Sequence, residues 1–403
     1  MSSEPLLSEL ARRAGKAGLG NPRESARLIS FYAGFPDPGS LPVADIVDST
    51  RVAIESEGEW ALQYGASAGD ERLIEELLKK LARDQQIEAK PENILVTNGA
   101  SQALSLIVDM LVEPGDVVIS EAPTWMGAVA NFNQAGADVR DVAVDEHGTR
   151  TDDLRDLLTD LASEGKRAKL LYVIPNFQNP MGVTMSLERR NELLSIANEF
   201  DVPVIEDDAY FDLRYEGESI PSLYSLDDAN RVMYMGTFSK IVAAGLRLGW
   251  VVAPEAVIGR LIALKSDGGT SPFGSFVATE FAASGTLIEH VQELRALYHD
   301  RRDAMLAALE ESMPEGTTWT RPDGGFFIWV EFPEAVDMES LVPACRDRGV
   351  EISPGPIFYF DERGGNEMRL SYSFANEDQI RRGIAIIGEE ARSQIERARA
   401  DAV

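Results

Sequence analysis

The sequence predicts an α/β fold with a large domain, built on a mainly parallel, doubly wound seven-stranded sheet, and a smaller α/β domain. Short apolar runs alternate with helical stretches between residues 94 and 252, which is typical of parallel strands with helices on both faces. One long helical stretch then leads into a shorter α/β pattern. We therefore predict an N-terminal segment that joins the small domain (1–45), a large domain (46–285) and a small C-terminal domain (286–403).

Composition narrows the class of protein. Of 403 residues, 44% are hydrophobic and 26% charged, as in ordinary globular proteins. No apolar stretch approaches a membrane span, and the N-terminus lacks a basic region followed by an apolar one, so we expect a cytoplasmic protein. A single cysteine, Cys345, excludes an intramolecular disulfide. With only three scattered histidines, a metal site or a histidine-based triad is disfavoured, and we predict no metal.

The charge is strongly acidic. The formal net charge is −29, and eight lysines stand against thirty arginines among the 38 basic residues. Such a surface repels nucleic acid and anionic membranes, so neither is expected as a partner. Because salt screens self-repulsion, the charge also predicts a protein adapted to a salt-rich, halophilic cytoplasm.

Elements can be assigned in chain order. The N-terminal part has a helix predicted at 6–16, a Gly/Pro-rich loop at 32–42 whose glycines allow close backbone approach, and helices at 43–57 and 70–85. The large domain has predicted strands at 94–97, 117–120, 139–144, 170–174, 202–206, 232–235 and 246–252, with helices after Pro123 and from Asp152, Leu187 and Pro254. The small domain has predicted helices at 285–312 and 341–348 and strands at 326–332 and 368–372.

A lysine lies between two of the buried strands. Lys240 follows the strand at 232–235, where burial disfavours the ammonium, lowers its pKa and makes the amine a Schiff-base nucleophile. The alternative is a lysine in a surface turn, with its stem covering apolar neighbours. These residues alone leave both interpretations open.

Other polar residues follow the predicted strands at their carboxyl ends, where sites lie in such sheets. The turn after Thr97 leads into a helix start, and free backbone N–H groups there favour a phosphate. Many turns of this kind bind nothing, and this one is neither a Walker loop nor a GxGxxG motif. The complete set of motifs is Gly99-Ala-Ser-Gln102, Pro123-Thr-Trp125, Asn176-Phe-Gln-Asn179-Pro-Met-Gly182, Asp207-Asp-Ala-Tyr210, Thr237-Phe-Ser239-Lys240, Arg247 and Arg369.

In order and spacing, these motifs resemble fold type I aminotransferases of the aspartate aminotransferase superfamily. The branch with 2-aminoadipate and kynurenine-type enzymes is the most similar, and the likeness spans residues 28 to 388. The resemblance implies pyridoxal 5′-phosphate as cofactor. It also implies that Lys240 forms the internal aldimine and moves the Cα proton, that Asp207 pairs with the pyridinium nitrogen, and that Asn179 and Tyr210 bind the ring's phenolate oxygen.

The resemblance assigns further residues by position. Trp125 falls where the family usually has a tyrosine or other aromatic stacked on the ring, and Tyr64 matches a tyrosine that reaches the neighbour's phosphate in a homodimer. Arg369 matches the clamp for the substrate α-carboxylate, assisted by Asn179 and the Gly34 backbone. The remaining phosphate ligands are implied to be Ala100, Ser101, Gln102, Thr237, Ser239 and Arg247.

The implied function is transamination of an L-amino acid with a 2-oxo acid, 2-oxoglutarate, by a ping-pong mechanism. Another reaction on the same cofactor, such as β-elimination, and a non-catalytic sensor are the alternatives. In the dicarboxylate-specific enzymes that the chain resembles, the loop matching 266–272 supplies an arginine from the neighbouring subunit. This loop has no arginine, which argues against a dedicated aspartate enzyme of that type. For the substrate side chain, the candidates are an apolar wall of Tyr32, Phe35, Phe358 and Tyr359, or a carboxylate partner at Arg23 or Arg27.

Overall fold

The computed structural model of the chain describes residues 7–14 and 20–401. The strands are β1 (Ile29–Ser30), β2 (Ile94–Thr97), β3 (Val117–Ala122), β4 (Asp138–Asp145), β5 (Gly148–Thr149), β6 (Ala168–Val173), β7 (Val204–Asp207), β8 (Val232–Thr237), β9 (Gly249–Val252), β10 (Thr318–Trp319), β11 (Phe327–Glu331), β12 (Val350–Glu351), β13 (Ser353–Pro354) and β14 (Glu367–Ser371). The α-helices are α1 (Glu9–Arg13), α2 (Pro22–Ser25), α3 (Val43–Glu57), α4 (Glu71–Lys80), α5 (Ala100–Leu111), α6 (Met126–Ala135), α7 (Thr151–Ser163), α8 (Leu187–Phe200), α9 (Leu223–Leu226), α10 (Glu255–Leu264), α11 (Pro272–Ala283), α12 (Thr286–Ser312), α13 (Met338–Asp347) and α14 (Glu377–Asp401).

The central sheet of the large domain has the order β2-β9-β8-β7-β6-β3-β4-β5. Neighbours from β8 to β4 pair in parallel, β9 is antiparallel to both β8 and β2, and β5 closes an antiparallel hairpin with β4. The predicted fold class is confirmed. The sheet has eight strands and not the expected seven, because β5 is a two-residue strand too short to give an apolar signal.

Helices cover both faces of this sheet, as the alternating pattern predicts. Apolar side chains of α5, α6 and α10 pack with strand residues such as Val118 and Tyr172 on one face. On the opposite face, α7 and α8 pack against Ile119 and Val204, while α4, α11 and α12 cover the β2, β9 and β8 side. Within the described residues, no helix has both the length and the apolar character needed to cross a membrane.

The strand register brings distant residues to one edge of the sheet. Asp207 at the end of β7 is level with Met235 in β8, and Thr237 at the end of β8 faces Gly249 at the start of β9. Gly249 also faces Thr97 at the end of β2. The turns that follow these strands therefore meet at the carboxyl edge.

The smaller domain has a four-stranded sheet of order β10-β11-β14-β13, antiparallel throughout, which places Arg369 between Trp329 and Ser353. In addition, β1 from the N-terminal segment pairs with β12. This pairing supports an N-terminal segment attached to the small domain, and the boundaries 1–45, 46–285 and 286–403 stay predictions.

Some predicted elements differ from the structure. Strand β9 begins at Gly249 and not at Leu246, because residues 244–246 form a 3₁₀ turn and Arg247 takes a left-handed conformation. Helix α11 is absent from the prediction, since seven of its twelve residues are buried and no polar stripe marks it. The helix expected at 6–16 is shorter in the structure and spans Glu9–Arg13, because Ser8 caps its start and Ala14 takes an extended conformation; positions 6, 15 and 16 lie outside the described residues.

Candidate active site

A cavity opens where the carboxyl edge of the large sheet meets the N-terminal segment and the small domain. Most of the predicted site residues line this cavity. They are Gly34, Ala100, Ser101, Trp125, Asn179, Asp207, Tyr210, Thr237, Ser239, Lys240, Arg247 and Arg369. The strand-end pattern therefore identifies residues that the fold brings to one place, although they are far apart in the chain.

Lys240 lies in the turn directly after β8, with its amine inside the cavity. Its Nζ donates a hydrogen bond to the carbonyl of Gly34 at 3.0 Å. Burial, followed by the positive charges of Arg369 and Arg247, lowers the pKa of this amine to about 8, against the opposing effect of Asp207. The lower pKa increases the fraction of neutral amine near neutral pH, and the neutral amine is the form that attacks an aldehyde.

Asp207 ends β7 and is almost completely buried. Its Oδ2 accepts a hydrogen bond from the Tyr172 hydroxyl at 2.6 Å, whereas Oδ1 has no partner among the described residues. Burial raises the pKa of Asp207 to about 6, against the lowering effects of Tyr172 and Lys240. A buried carboxylate with one free oxygen requires a donor, and a protonated ring nitrogen meets that requirement.

Tyr172 is a site residue that the sequence did not reveal. It lies in the apolar run of β6, and from the pattern alone it is indistinguishable from a core residue. In the structure it is completely buried, and its hydroxyl fixes one oxygen of Asp207. Asp207 itself lines the cavity, so its second oxygen is the one left for a group bound there.

Arg369 connects three separate segments of the chain. Its guanidinium donates to Asn179 Oδ1 at 2.9 Å and to the carbonyl of Tyr32. The group packs against the rings of Phe327 and Phe358, and its central carbon lies 4.2 and 4.8 Å from their centroids. Such packing holds a planar guanidinium in one orientation, which suits paired hydrogen bonds to a carboxylate.

The first turn of α5 and a nearby arginine form the end of the cavity that suits a phosphate. The N–H groups at the start of this helix, at Ala100 and Ser101, have no acceptor within the helix, and the helix dipole favours an anion there. The guanidinium of Arg247 donates to Asn98 O at 3.3 Å. A Cβ at Gly99 would lie 2.8 Å from its Nη2, so glycine permits this close approach.

Two hydroxyl groups stand beside this helix start. Thr237 Oγ1 lies 2.9 Å from Ser239 Oγ and accepts a hydrogen bond from the Ser239 N–H at 3.1 Å. A Cβ at Gly249 would lie 2.8 Å from the nitrogen of Ala100. Glycine is therefore required for the start of β9 to approach the start of α5. These hydroxyls, the helix start and Arg247 together offer a phosphate several donors.

Trp125 lines the cavity at the start of α6, at the place where an aromatic ring is expected. Its indole covers Gly127, where a Cβ would come within 2.3 Å of the ring. The missing side chain at Gly127 therefore makes room for an aromatic group larger than tyrosine.

Several predicted residues lie outside the cavity. The side chain of Gln102 does not line it, because its amide bonds to the Asn98 N–H and to Asp267, each at 2.8 Å. Phe358 packs on Arg369, and the Tyr359 hydroxyl donates to Glu367, so neither forms the substrate wall expected of it.

Three more predicted positions are exposed. Arg23 and Arg27 are on the surface of the lead-in segment, outside the cavity. Tyr64 is 86% exposed and does not reach the cavity of its own chain.

Comparison with known proteins identifies the family. The sequence profile described as aminotransferase class I and II matches residues 29–387.

The chain belongs to this aminotransferase family.

An aromatic-amino-acid aminotransferase of Thermococcus litoralis is 37% identical over 376 residues, covering 93% of this chain and 90% of its own length. The structure of a Pyrococcus horikoshii kynurenine aminotransferase in complex with PMP aligns with a TM-score of 0.92 and 38% identity, over 98% of both chains. An HTH-type transcriptional regulator of Bacillus subtilis is 35% identical over 91% of this chain and 74% of its own length. The chain itself is thus an aminotransferase with the type I fold that uses pyridoxal phosphate. This cofactor fits the Asp207 oxygen that has no partner among the described residues, and it fits the donors around α5.

Proposed function

We propose that this aminotransferase transfers the amino group of an L-amino acid to 2-oxoglutarate in two half-reactions, by a ping-pong mechanism. The observation that carries the proposal is one cavity lined by Lys240, Asp207 and Arg369. When bound, pyridoxal phosphate supplies an aldehyde for the lysine and a ring that withdraws electrons from the substrate Cα. The chain supplies a clamp, a proton carrier and a counter-charge around that ring.

Each of these groups has a distinct part in the proposal. Arg369 binds the α-carboxylate of the substrate, and its bond to Asn179 orients both side chains. Asp207 keeps the ring nitrogen protonated through its free oxygen. With the cofactor bound, the amine of Lys240 would serve as the base that takes the proton from the substrate Cα and as the acid that gives it back. Tyr210 and Asn179 hold the ring's phenolate oxygen.

The lining of the cavity supports aromatic and aliphatic amino donors. Tyr32, Phe35 and Phe327 contribute apolar walls. The cations among the described lining residues are Lys240, Arg247 and Arg369, and the proposal already uses all of them. A distal carboxylate, whether of a donor such as 2-aminoadipate or of the acceptor 2-oxoglutarate, therefore needs a further cation, and we propose that a side chain such as Arg23 or Arg27 moves to the cavity to supply it.

The experiment separates the two half-reactions. The purified protein, loaded with pyridoxal phosphate, is converted to the pyridoxamine form with a panel of amino acids, and 2-oxoglutarate or pyruvate is then added. Recovery of the original visible spectrum with 2-oxoglutarate supports the proposed acceptor, while recovery only with pyruvate contradicts it. Ammonia and pyruvate released without an acceptor indicate β-elimination, and binding without turnover of any donor indicates a sensor.

We also propose that the working form is a homodimer in which Tyr64 contributes to the phosphate site of the partner subunit. A run of exposed apolar side chains supports this proposal, because such surface is costly in water. Its members are Val43, Val47, Trp60, Leu62 and Tyr64, between 62 and 86% exposed. Sedimentation should give twice the chain mass, and Tyr64→Phe should weaken cofactor binding without changing that mass. A monomer that binds the cofactor with full affinity would contradict the proposal.

A further inference from the structure

Glu121 is a buried carboxyl group near the cavity that none of the roles above uses. It is the residue before the last of β3 and is completely buried. Burial, the largest effect, raises its pKa to about 7, and its hydrogen bonds oppose the shift. A buried carboxyl group destabilises a core unless hydrogen-bond donors surround it, so the donors around Glu121 indicate which parts of the fold it connects.

Three donors from different elements converge on this carboxyl group. The Thr149 hydroxyl donates to Oε1 at 2.7 Å, and the Ile174 N–H donates to Oε2 at 3.0 Å. The third donor is the side-chain amide of Gln178, whose Nε2 lies 3.1 Å from Oε2. The buried acceptor is therefore fully paired, and Gln178 connects it to other parts of the fold.

Gln178 is also buried and uses both ends of its amide. Its Nε2 donates a second hydrogen bond, to the carbonyl of Pro123 at 2.8 Å, and its Oε1 accepts from the Met181 N–H at 2.8 Å. One side chain thus ties the turn after β3 to the turn that begins at Asn179. These turns carry Trp125 and Asn179, which line the cavity where the cofactor ring is held.

We propose that Glu121 is a positioning residue for the cofactor ring, which acts through Gln178 to fix the turns that carry Trp125 and Asn179. Glu121 itself does not line the cavity, so it does not touch the cofactor. Its oxygens set the orientation of the Gln178 amide, because an Nε2 facing Glu121 and Pro123 leaves Oε1 facing Met181. Without the acceptor at position 121, a single contact to Pro123 holds this Nε2.

Glutamine at position 121 can preserve the same contacts. Its oxygen can take the place of Oε2 and accept from Ile174 and Gln178. Its amide can face Thr149, because that hydroxyl rotates and also accepts hydrogen bonds. Methionine has a similar length and provides no comparable acceptor. The pair Glu121→Gln and Glu121→Met therefore separates loss of the contact to Gln178 from loss of the charge.

Glu206 offers a matched control. It is a completely buried carboxyl group in the neighbouring part of the sheet, and it accepts from the Leu223 and Tyr224 N–H groups, at 2.9 Å each. Its contacts lead to α9 and not to the cavity. Glu206→Met therefore tests the general cost of removing a buried carboxylate.

The test uses the cofactor-loaded protein and measures cofactor affinity, together with the visible circular dichroism per bound cofactor, which reports how the ring is fixed. We expect Glu121→Met to weaken affinity by about 10-fold or more and to reduce the dichroism, since small displacements in such sites have large effects. Glu121→Gln should keep the affinity and the dichroism at the wild-type level, and Glu206→Met should change neither quantity. Gln178→Met should reproduce the Glu121→Met defect, which keeps the test valid if Glu121→Met does not fold.

Several outcomes would overturn the proposal. Wild-type dichroism in Glu121→Met or Gln178→Met would show that the contact does not fix the ring. An equal loss in Glu206→Met would show a general effect of stability, and Glu121→Gln as defective as Glu121→Met would show dependence on charge. The inference rests on the cofactor assignment, and a wild-type protein without any bound cofactor would count against that assignment separately.

Discussion

Replacing Asp207 by asparagine changes the charge of the site while leaving its shape almost intact. The asparagine oxygen can accept the hydrogen bond that Tyr172 donates to Oδ2 at 2.6 Å. Its NH₂ group then stands where the free Oδ1 lies, so the site presents a donor to the protonated ring nitrogen in place of an acceptor. The substitution therefore removes the buried charge pair between the carboxylate and the protonated ring nitrogen. It also leaves the N–H of that nitrogen facing the NH₂ group, which is another donor.

The size of the effect follows from the burial of this pair. Removing one partner of a buried ion pair costs about 3–5 kcal/mol. At about 1.4 kcal/mol for each factor of ten, the first half-reaction should slow by about 10²- to 10⁴-fold if the charge is needed in the transition state. Stopped-flow mixing with an amino acid donor, followed by the visible absorbance of the cofactor, measures this step directly.

Asp208→Asn is the matched control for this prediction. Asp208 is the next residue and is also buried, but it pairs with Asn176 Nδ2 at 2.9 Å and does not line the cavity. This variant should lose stability and keep the rate within a few-fold of the wild type. A rate for Asp207→Asn within threefold of the wild type, or equal losses in both variants, would refute the assignment of Asp207.

Three further predictions concern other parts of the site. Arg369→Lys should lower kcat/KM by about 10- to 100-fold, since one charged hydrogen bond of about 1.5–3 kcal/mol is lost; an unchanged value would contradict the clamp. With a pKa of about 8 for Lys240, capture of pyridoxal phosphate by the apo-protein should accelerate with rising pH and level off above about 8, whereas an ordinary lysine would continue to accelerate toward about 10. Gly182→Ala should reduce the free energy of unfolding by more than Gly165→Ala in denaturant titrations, because both positions have positive φ but only at Gly182 would a Cβ meet a backbone atom, the Phe327 carbonyl at 2.4 Å.

Much of this fold could be predicted because its strands are short, apolar and separated by helices. The parallel arrangement places their carboxyl ends together, so the polar residues that follow the predicted strands at 170–174, 202–206 and 232–235 could be assigned to one site without knowledge of side-chain positions. The same rule would have found Glu121, a charged residue at the end of an apolar run.

Other features depend on contacts that the pattern does not contain. Tyr172 differs from a core residue only through the hydroxyl that meets Asp207, and strand pairing determines that contact. Gln102 lies in the expected motif, but its amide turns to Asp267 from a loop far away in the chain. Helix α11 is buried on most sides, so it lacks the one-sided apolar stripe by which an amphipathic helix is recognised.

The position of Arg369 in the chain determines when the substrate clamp becomes available during synthesis. The central sheet is complete once Val252 has been synthesised, because β9 joins β2 to the remaining strands. Arg369 follows about 120 residues later, which corresponds to roughly 6–24 s at ribosomal rates of about 5–20 residues per second. During this interval the nascent chain contains Lys240 and Asp207 but still lacks the arginine for the substrate. Translation thus provides the residues for the cofactor before the chain can select an amino acid.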